Sequence, residues 1–419
     1  MNSINKNILQ IKETPIMEIA NYGRNFTKET GKVVYPAWFG EGNISTDKLI
    51  YNETINALKA GETFYTYQNG IPEVREEISK YMNDMFDVKT SPFQHSIVNG
   101  GMLGIKICCE IILEKDDEVV IVGPVWPNIR SSVVLREAVI NEVSLDFDKT
   151  WTLDLNKLLN AITDKTKLVF INSPNNPTGW MLNSSEQQII LDHVRKKNCW
   201  LLADEVYHRI VYQGNASSSF LSLSEPEDKL LVINSSSKSF NMTGWRVGWI
   251  THPEYLGEHI AKLVQISTTG VPEFIQKGFI EALKNHKFLV EEVMKNLHVS
   301  RDFVYNKMKH WTKLKINKPE SAFYFFFKVN KYLAKLMNPE THGYKASIKE
   351  IHHTEKLDSP SGTAISLAED IINSSVYEKW ELGKKNKKSL KIESIRDGDN
   401  PGTHSVNYIS KMDEISIKH

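Results

Sequence analysis

The sequence predicts an α/β fold in which helices cover both faces of a mostly parallel sheet. Between about residues 45 and 300, short apolar runs rich in β-formers alternate with longer segments of helical periodicity. Residues 101–113 and 184–197 are two such helical segments. Because parallel strands need a long crossover, usually a helix, this alternation is typical of an open α/β sheet.

The apolar runs predict the strands of this sheet and the place of its binding site. In chain order they are HSIVNG, DDEVVIVGP, KLVFINSP, NCWLLADE, KLLVINSS and RVGWITHP. Ligands of open α/β sheets bind beyond the carboxyl ends of the strands. Three segments, 167–179, 199–207 and 230–246, place polar residues directly after an apolar run. We therefore expect these three segments to form one site.

The C-terminal part of the chain differs in character from the sheet region. Residues 275–312 are predicted to be helical and charged, and 321–329 (SAFYFFFKV) to form an aromatic strand. Lys-rich loops near 383–388 and a short β-rich tail follow. These segments are not expected to continue the parallel sheet.

Composition and charge argue against several classes of protein. Lys and Arg total 51, as do Asp and Glu, and this zero net charge argues against a nucleic-acid or acidic-membrane partner. No apolar run approaches the roughly 20 residues of a membrane span, and the N-terminus does not resemble a signal peptide. Of the three cysteines, the adjacent Cys108 and Cys109 are expected to be packed thiols and not a disulfide or metal pair. The protein is expected to be cytoplasmic and to have at least two domains.

Lys238 and Asp204 carry the chemistry that the strand ends predict. Lys238 follows three serines, where small residues give a ligand close access. A lysine with a lowered pKa can form a Schiff base with an aldehyde and, once released, can carry a proton. Asp204 could keep a pyridine nitrogen protonated. Alone, the first is more often a surface lysine and the second a helix cap or ion-pair partner.

Further polar residues favour pyridoxal 5′-phosphate as the ligand of this pair. Tyr207 and Asn176 could donate hydrogen bonds to its phenolic oxygen, although NPTG is also a good turn sequence in its own right. Arg246 offers a fork that matches a phosphate dianion, and Ser235 and Ser237 offer hydroxyl donors. The combination predicts the cofactor where no single residue would.

Six segments resemble the class I/II aminotransferases of pyridoxal-phosphate fold type I, in the order and at the spacing of that family. They are YTYQNGIPEVRE (65–76), NGGMLG (99–104), GPVWPN (123–128), NSPNNPTG (172–179), ADEVY (203–207) and SSSKSFNMTGWRVG (235–248). The resemblance covers about residues 30–330. It implies transfer of an amino group between an amino acid and a 2-oxo acid.

The resemblance also implies roles for the residues around the cofactor ring. The cofactor-binding residues it implies are Tyr65, Gly101, Met102, Trp126, Asn176, Asp204, Tyr207, Ser235, Ser237, Lys238 and Arg246. Lys238 would form the Schiff base and, with Tyr207, take part in catalysis. Asp204 would pair with the pyridine nitrogen, Asn176 and Tyr207 would bind the phenolic oxygen, and Trp126 would stack on the ring.

At the phosphate end, the resemblance implies contacts from a helix and from a second subunit. Gly101 and Met102 would give backbone N–H groups at a helix N-terminus, beside Arg246. Tyr65 would reach the phosphate of the neighbouring subunit, so a homodimer is implied. Gly40 matches the glycine on the substrate side of the family's site.

The glycine loop 99–104 has an alternative interpretation as a dinucleotide fingerprint. Asn99 stands where the first glycine of G-x-G-x-x-G belongs, which disfavours that interpretation.

A second signature lies near the C-terminus. EIHHTEKLDSPSGTAISLAEDI (350–371) and 395–419 resemble the catalytic domain of dihydrodipicolinate (4-hydroxy-tetrahydrodipicolinate) reductase, of lysine and diaminopimelate biosynthesis. The resemblance covers about residues 343–419 and implies His352 as the acid/base residue, supported by Lys356. His353, Gly362 and Thr363 would bind the substrate, and NAD(P)H would be the cofactor under this alternative.

Neither enzyme family is represented whole, so the sequence predicts a chimera. We expect an N-terminal arm and small-domain segment (1–45), a cofactor-binding large domain (46–300), a truncated small-domain segment (301–335) and the reductase-like fragment (343–419). The nucleotide-binding domain of the reductases does not precede residue 343. The family's carboxylate-binding arginine is also missing, because only Arg301 and Arg396 follow Arg246. An inactive chimeric cofactor-binding protein is therefore a third hypothesis.

Overall fold

The computed structural model describes most of the chain as two compact units. The described residues are 4–11, 15–311, 316–326, 344–352, 354, 358–373, 375–383, 388–398, 402–409 and 414–418. The larger unit comprises Met1–Met308 and Asn317–Phe326, and the smaller unit Lys309–Ile316 and Phe327–His419. Within the described part of the chain, every helix is too short or too polar to span a bilayer.

The larger unit is built on a mostly parallel sheet, as predicted. Its strands are β1 (His95–Val98), β2 (Glu118–Gly123), β3 (Val139–Ser144), β4 (Asp146–Phe147), β5 (Trp151–Thr152), β6 (Thr166–Asn172), β7 (Trp200–Asp204), β8 (Leu230–Ser235) and β9 (Gly248–Thr251). Among the described residues the main sheet has seven strands in the order β1-β9-β8-β7-β6-β2-β3. Only β9 runs antiparallel to its neighbours, β1 and β8. The short strands β4 and β5 form a separate hairpin.

Helices cover both faces of this sheet. The described α-helices of the larger unit are α1 (Lys6–Gln10), α2 (Pro15–Thr30), α3 (Lys48–Ala60), α4 (Pro72–Phe86), α5 (Gly101–Ile112), α6 (Asn128–Val134), α7 (Leu155–Ala161), α8 (Ser184–Lys197), α9 (Ser236–Ser239), α10 (Gly257–Ser267), α11 (Glu273–Lys284) and α12 (His286–Met308). Alternate residues of β2 belong to different cores, because successive side chains of a strand point to opposite faces. Val119 and Ile121 pack with helix α5, whereas Val120 and Val122 pack with helices α7 and α8.

The turn that leads into α5 depends on two glycines, Gly100 and Gly248. Gly100 has φ +88°, a conformation that other residues rarely adopt. A Cβ at Gly248, on the neighbouring strand β9, would lie 2.7 Å from the Gly101 nitrogen and 2.9 Å from the Asn234 carbonyl oxygen. Since both contacts are with backbone atoms, only glycine lets β9 approach the start of α5 this closely.

The aromatic segment that begins at Ser321 is not a strand over its described part, so this prediction was wrong for 321–326. Ser321 forms one isolated bridge with Val211, and the Ala322 amide donates to the Ile210 carbonyl at 2.8 Å. Ala322 has φ +53°, which interrupts the extended conformation. Residues 327–329 of the predicted strand lie outside the described residues.

The smaller unit has its own sheet and core. Its elements are β10 (Lys345–His352), α13 (Gly362–Ile372), β11 (Lys379–Leu382), β12 (Ser389–Arg396), β13 (Thr403–Ile409) and β14 (Glu414–Lys418). The described strands have the order β11-β12-β10-β13-β14, and β12 is parallel to both β10 and β11. Ile348, Ile392 and Val406 pack with Ala364 and Ala368 of α13 in a separate apolar cluster.

Candidate active site

Three polar segments meet where neighbouring strands of the larger sheet end, as the sequence predicts. Asn172 ends β6 and pairs in register with Asp204, the last residue of β7. Asp204 in turn pairs with Ile233 of β8, which ends at Ser235. Because parallel strands end at the same edge, residues far apart in sequence become neighbours here.

The Asn176 turn is held by two asparagines that sequence reasoning did not single out. Asn172 Oδ1 accepts a hydrogen bond from the Asn176 amide at 2.7 Å, and its Nδ2 donates to the Asp204 carbonyl at 3.0 Å. Asn175 Oδ1 accepts from the Thr178 amide and from the Thr178 hydroxyl, at 3.1 and 2.7 Å. An asparagine side chain that hydrogen-bonds to the backbone a few residues further along the chain is a known turn signal. The sequence therefore contained a signal by which these two asparagines could have been recognised.

Lys238 lies in a buried environment that weakens its hold on a proton. Burial and, to a smaller extent, the charge of Arg246 lower its pKa to about 8, although the charges of Glu41 and Asp204 act in the opposite direction. Its Nζ donates to the Gly40 carbonyl oxygen and lies 5.9 Å from the centre of the Tyr207 ring. An amine with this pKa is a competent nucleophile and base near neutral pH.

Asp204 is a buried carboxylate that would be stabilised by a cation. Its side chain is 4% exposed, and burial raises its pKa to about 7, against smaller opposing effects of the Val206 amide and Lys238. A protonated ring nitrogen beside this carboxylate would offset the unfavourable burial. The chemistry of this residue therefore fits a pyridinium group.

Tyr207 belongs to a hydrogen-bonded group that includes one unexpected residue. Its buried hydroxyl lies 2.5 Å from that of Tyr324 and is hydrogen-bonded to Asn176. Burial, followed by the neighbouring Tyr324, raises the pKa of Tyr207 well above its usual value, so the phenol remains a donor. A Cβ at Gly40 would collide with the Tyr324 hydroxyl. Gly40 and Tyr324 are therefore packed together beside Lys238.

The start of α5 is surrounded by the groups predicted to bind phosphate. The Arg246 guanidinium lies against Gly100, and its Nη1 donates to the Thr243 carbonyl at 2.8 Å. Ser235 Oγ is 2.9 Å from Ser237 Oγ and accepts from the Ser237 amide at 3.1 Å. Met102 can contribute only its backbone N–H, because a methionine side chain has no hydrogen-bond donor. A helix N-terminus with adjacent hydroxyl and guanidinium donors fits a phosphate dianion.

Trp126 and Tyr65 differ in their relation to this site. The Trp126 amide donates to the Asn176 carbonyl at 2.9 Å, which places the half-buried Trp126 beside the Asn176 turn. Tyr65 is 92% exposed and therefore does not line the site of its own chain.

A buried polar network beneath the site was not found by sequence reasoning. His208 Nε2 lies 2.7 Å from the Tyr81 hydroxyl, and His208 Nδ1 lies 3.0 Å from the Glu205 carbonyl oxygen. Burial and the nearby charge of Arg209 lower the pKa of His208 to about 3, so this imidazole stays neutral. The network fixes the backbone that follows Asp204.

The two arginines that follow Arg246 in the sequence have contacts of their own. Arg301 lies 3.8 Å from the centre of the Tyr212 ring, pairs with Asp302 and donates to the Pro319 carbonyl at 3.4 Å. Arg396 belongs to strand β12 of the smaller unit.

The reductase-like residues are only partly described. His352 is buried, and its Nε2 lies 3.2 Å from His404 Nε2 and 3.3 Å from a Glu350 carboxylate oxygen. Gly362 and Thr363 open helix α13. His353 and Lys356, the other predicted members, lie outside the described residues.

Comparison with known proteins relates the chain to one enzyme family. The family model described as aminotransferase class I and II matches residues 37–373. A probable aspartate aminotransferase of Methanocaldococcus jannaschii is 30% identical over 328 residues, which cover 77% of this chain and 84% of the relative. The aspartate aminotransferase of Thermotoga maritima is also 30% identical, over 78% of this chain and 85% of the relative.

Solved structures agree with the sequence comparisons. The crystal structure of the T. maritima aspartate aminotransferase has a TM-score of 0.73 at 29% identity and covers 81% of this chain and 89% of its own. A double mutant of the Thermus thermophilus aspartate aminotransferase gives 0.73 at 25% identity, over 78% of this chain and 85% of its own.

The family assignment accounts for the larger unit and for its polar edge. The match runs to residue 373, past the predicted start of the reductase-like fragment at residue 343. These comparisons do not support a reductase-like fragment or a reductase function. Members of the family use pyridoxal 5′-phosphate, which fits the groups around Lys238 and Asp204. The chain thus belongs to the class I and II aminotransferases, pyridoxal-phosphate enzymes that move an amino group between an amino acid and a 2-oxo acid.

Proposed function

We propose that the chain is an aspartate aminotransferase in which Lys238 is the residue that binds the cofactor aldehyde. The observation that carries this proposal is the position of a partly neutral lysine between Gly40 and Asp204, at the edge where three strands end. Aspartate is proposed as the amino donor because relatives from M. jannaschii and T. maritima carry that name.

The residues around Lys238 divide the work of the reaction between proton transfer and orientation. Pyridoxal phosphate, when bound, supplies the aldehyde and an electron-withdrawing pyridine ring. Lys238 Nζ, with its pKa near 8, would be the base that takes the proton from the substrate Cα and the acid that gives it back. Asp204 would keep the ring nitrogen protonated, and Tyr207 and Asn176 would donate to the phenolic oxygen.

The phosphate end anchors the cofactor without taking part in proton transfer. Gly101 and Met102 would give backbone N–H groups at the start of α5, and Arg246 a guanidinium. Ser235 and Ser237 add hydroxyl groups at the end of β8. Together they would hold the ring so that Trp126 can stack on one face.

We expect aspartate to convert the bound cofactor to its amine form, with a KM above about 1 mM, the upper end of the usual range. The weak binding follows because Arg301, the nearest later arginine in the sequence, is engaged by Tyr212, Asp302 and Pro319. The measurement is the loss of the aldehyde absorbance band on titration with aspartate, with lysine and leucine as controls. The same rate with all three amino acids would contradict aspartate specificity, and no conversion by any amino acid would contradict transamination.

A homodimer is also part of the proposal, with Tyr65 reaching the phosphate of the other subunit. Phe64, Tyr65 and Tyr67 are 83%, 92% and 64% exposed, an unusual concentration of bare aromatic rings in one loop. We expect a dimer in sedimentation at micromolar concentration. Tyr65→Phe should weaken cofactor binding about tenfold or more, as loss of a hydrogen bond to a charged group does, and should leave the dimer intact. Tyr22→Phe, at a ring that is 72% exposed, is the control.

We also propose that the chain is divided into the segments 1–45, 46–300, 301–335 and 343–419. The separate sheet and apolar cluster of the smaller unit support a distinct α+β module at the C-terminus. We propose that this module shares its origin with the reductase family, but we do not propose reductase activity for it.

A further inference from the structure

Two strands of the smaller unit, β10 and β13, bring an acidic residue and two histidines together. Glu350 and His352 are two residues apart on β10, so their side chains point to the same face of the sheet. Glu350 pairs directly with His404 across the antiparallel β10–β13 ladder. Opposite residues of such a ladder have Cβ atoms about 5 Å apart, close enough for their side chains to converge on one point.

The three side chains converge through atoms that can bind a metal. Glu350 Oε2 lies 3.3 Å from His352 Nε2 and 3.5 Å from His404 Nε2, and the two nitrogens are 3.2 Å apart. A triangle with these sides has its centre roughly 1.9 Å from each corner, so an ion slightly out of its plane would have the 2.0–2.1 Å bonds of zinc. Ligands of a tetrahedral zinc ion are also separated by roughly 3.3–3.4 Å at those bond lengths.

The carboxylate is held in the orientation that a metal ligand needs. Ser394 Oγ donates to Glu350 Oε1 at 2.6 Å, and Arg396 donates to Ser394 Oγ at 2.7 Å. The Ser361 amide donates to the same carboxylate, at 3.1 and 3.2 Å from its two oxygens. Oε1 is therefore anchored by Ser394, and Oε2 faces both histidines. In metal sites, the ligating side chains are typically held in orientation by hydrogen bonds to neighbouring residues.

The cluster is buried, and one cation, the Arg396 guanidinium, lies 4.0 Å from Glu350 Oε1, the carboxylate oxygen bonded to Ser394. Glu350, His352 and His404 are 0%, 6% and 7% exposed. A buried carboxylate beside two imidazoles is stabilised when a divalent cation shares all three ligands. Two imidazole nitrogens and one carboxylate oxygen are also the ligand set of many zinc sites that keep a fourth position for water.

We propose that Glu350, His352 and His404 bind one zinc ion, with the fourth position open to water. The Ser361 hydroxyl is hydrogen-bonded to His404 Nε2 at 2.8 Å, and zinc at that nitrogen would replace this bond and release the hydroxyl to bond such a water. The sequence predicted no metal site, because 52 residues separate His404 from His352 and only the strand pairing makes them neighbours. His352 is then a metal ligand and not the acid/base residue that the reductase resemblance implies.

The test is zinc binding by untagged full-length protein that has been stripped with a chelator and loaded with pyridoxal phosphate. We expect one zinc per chain in a competition titration against a chromophoric chelator. Glu350→Gln, His352→Asn and His404→Asn should each weaken zinc binding by more than the roughly 10–100-fold that is lost when a residue hydrogen-bonded to a ligand is removed. His259→Asn, at an exposed histidine of the larger unit, is the matched control and should bind as the wild type does.

Two outcomes would overturn the proposal. Either the wild-type protein takes up no stoichiometric zinc, which would make the cluster a hydrogen-bonded network, or the three ligand variants retain wild-type affinity. Circular dichroism checks that each variant is folded. If a variant fails to fold, X-ray absorption of zinc in the wild-type protein decides, because a sulfur ligand would contradict this site.

Discussion

Replacing Lys238 with alanine should abolish covalent attachment of pyridoxal phosphate and lower transaminase activity by more than about 10³-fold. The substitution removes both the nucleophile and the group that carries the proton. Each of these functions alone typically contributes a factor of about 10² or more to the rate. Lys238 is the expected attachment point because burial lowers its pKa to about 8 and its Nζ lies beside Gly40.

Reductive trapping gives a readout that does not depend on turnover. After borohydride treatment, a peptide that contains Lys238 should carry the cofactor mass in the wild-type protein and lose it in Lys238→Ala. Lys238→Arg is the structural control, because it keeps a donor for the Gly40 carbonyl and cannot form the same bond. Cofactor mass on another lysine of the wild-type protein would contradict the assignment.

Asp204→Asn should stabilise the cofactor-free protein at pH 8 and at the same time impair the enzyme. Burial raises the pKa of Asp204 from 3.8 to about 7. The folded state thus holds this proton more tightly than the unfolded state does. The contribution of protonated Asp204 to the free energy of unfolding is complete below pH 3.8 and is lost as the pH rises through 7. The difference between wild type and variant should be near zero at pH 4 and on the order of a few kcal/mol at pH 8.

Activity should move in the opposite direction, since asparagine cannot keep the ring nitrogen protonated. We expect a fall of at least about 10²-fold in activity, similar to the loss of a positioned acid or base.

The stability measurement is urea unfolding of the cofactor-free proteins at both pH values. Asp228→Asn is the control of opposite sign. Burial raises the pKa of Asp228, but the hydrogen bonds from Arg195 outweigh burial, and the pKa of Asp228 is lowered. Asp228→Asn should therefore be less stable than the wild type at pH 8. Equal unfolding free energies of wild type and Asp204→Asn at pH 8 would contradict the assigned pKa.

The sheet and its ligand-binding edge were predictable from the sequence because each signal is local. Apolar runs of strand length mark β6, β7 and β8, and the polar residues that follow them, such as Asp204, are consecutive with the runs. Helix α8 has the predicted bounds Ser184–Lys197, since its capping box of Asn183 and Glu186 is also a local signal. The aromatic segment after Ser321 misled the prediction, because β propensity depends on a partner strand that 321–326 does not have.

The sequence by itself determined the family and the cofactor, because these depend on side-chain identities at short, regular spacings. Lys238, Asp204 and Arg246 are recognisable from the residues around them. Only the tertiary structure placed Tyr324 against Tyr207 and gathered Glu350, His352 and His404 on one face. Strand pairing and packing join residues without regard to their separation along the chain, so contacts of this kind leave no local pattern to read.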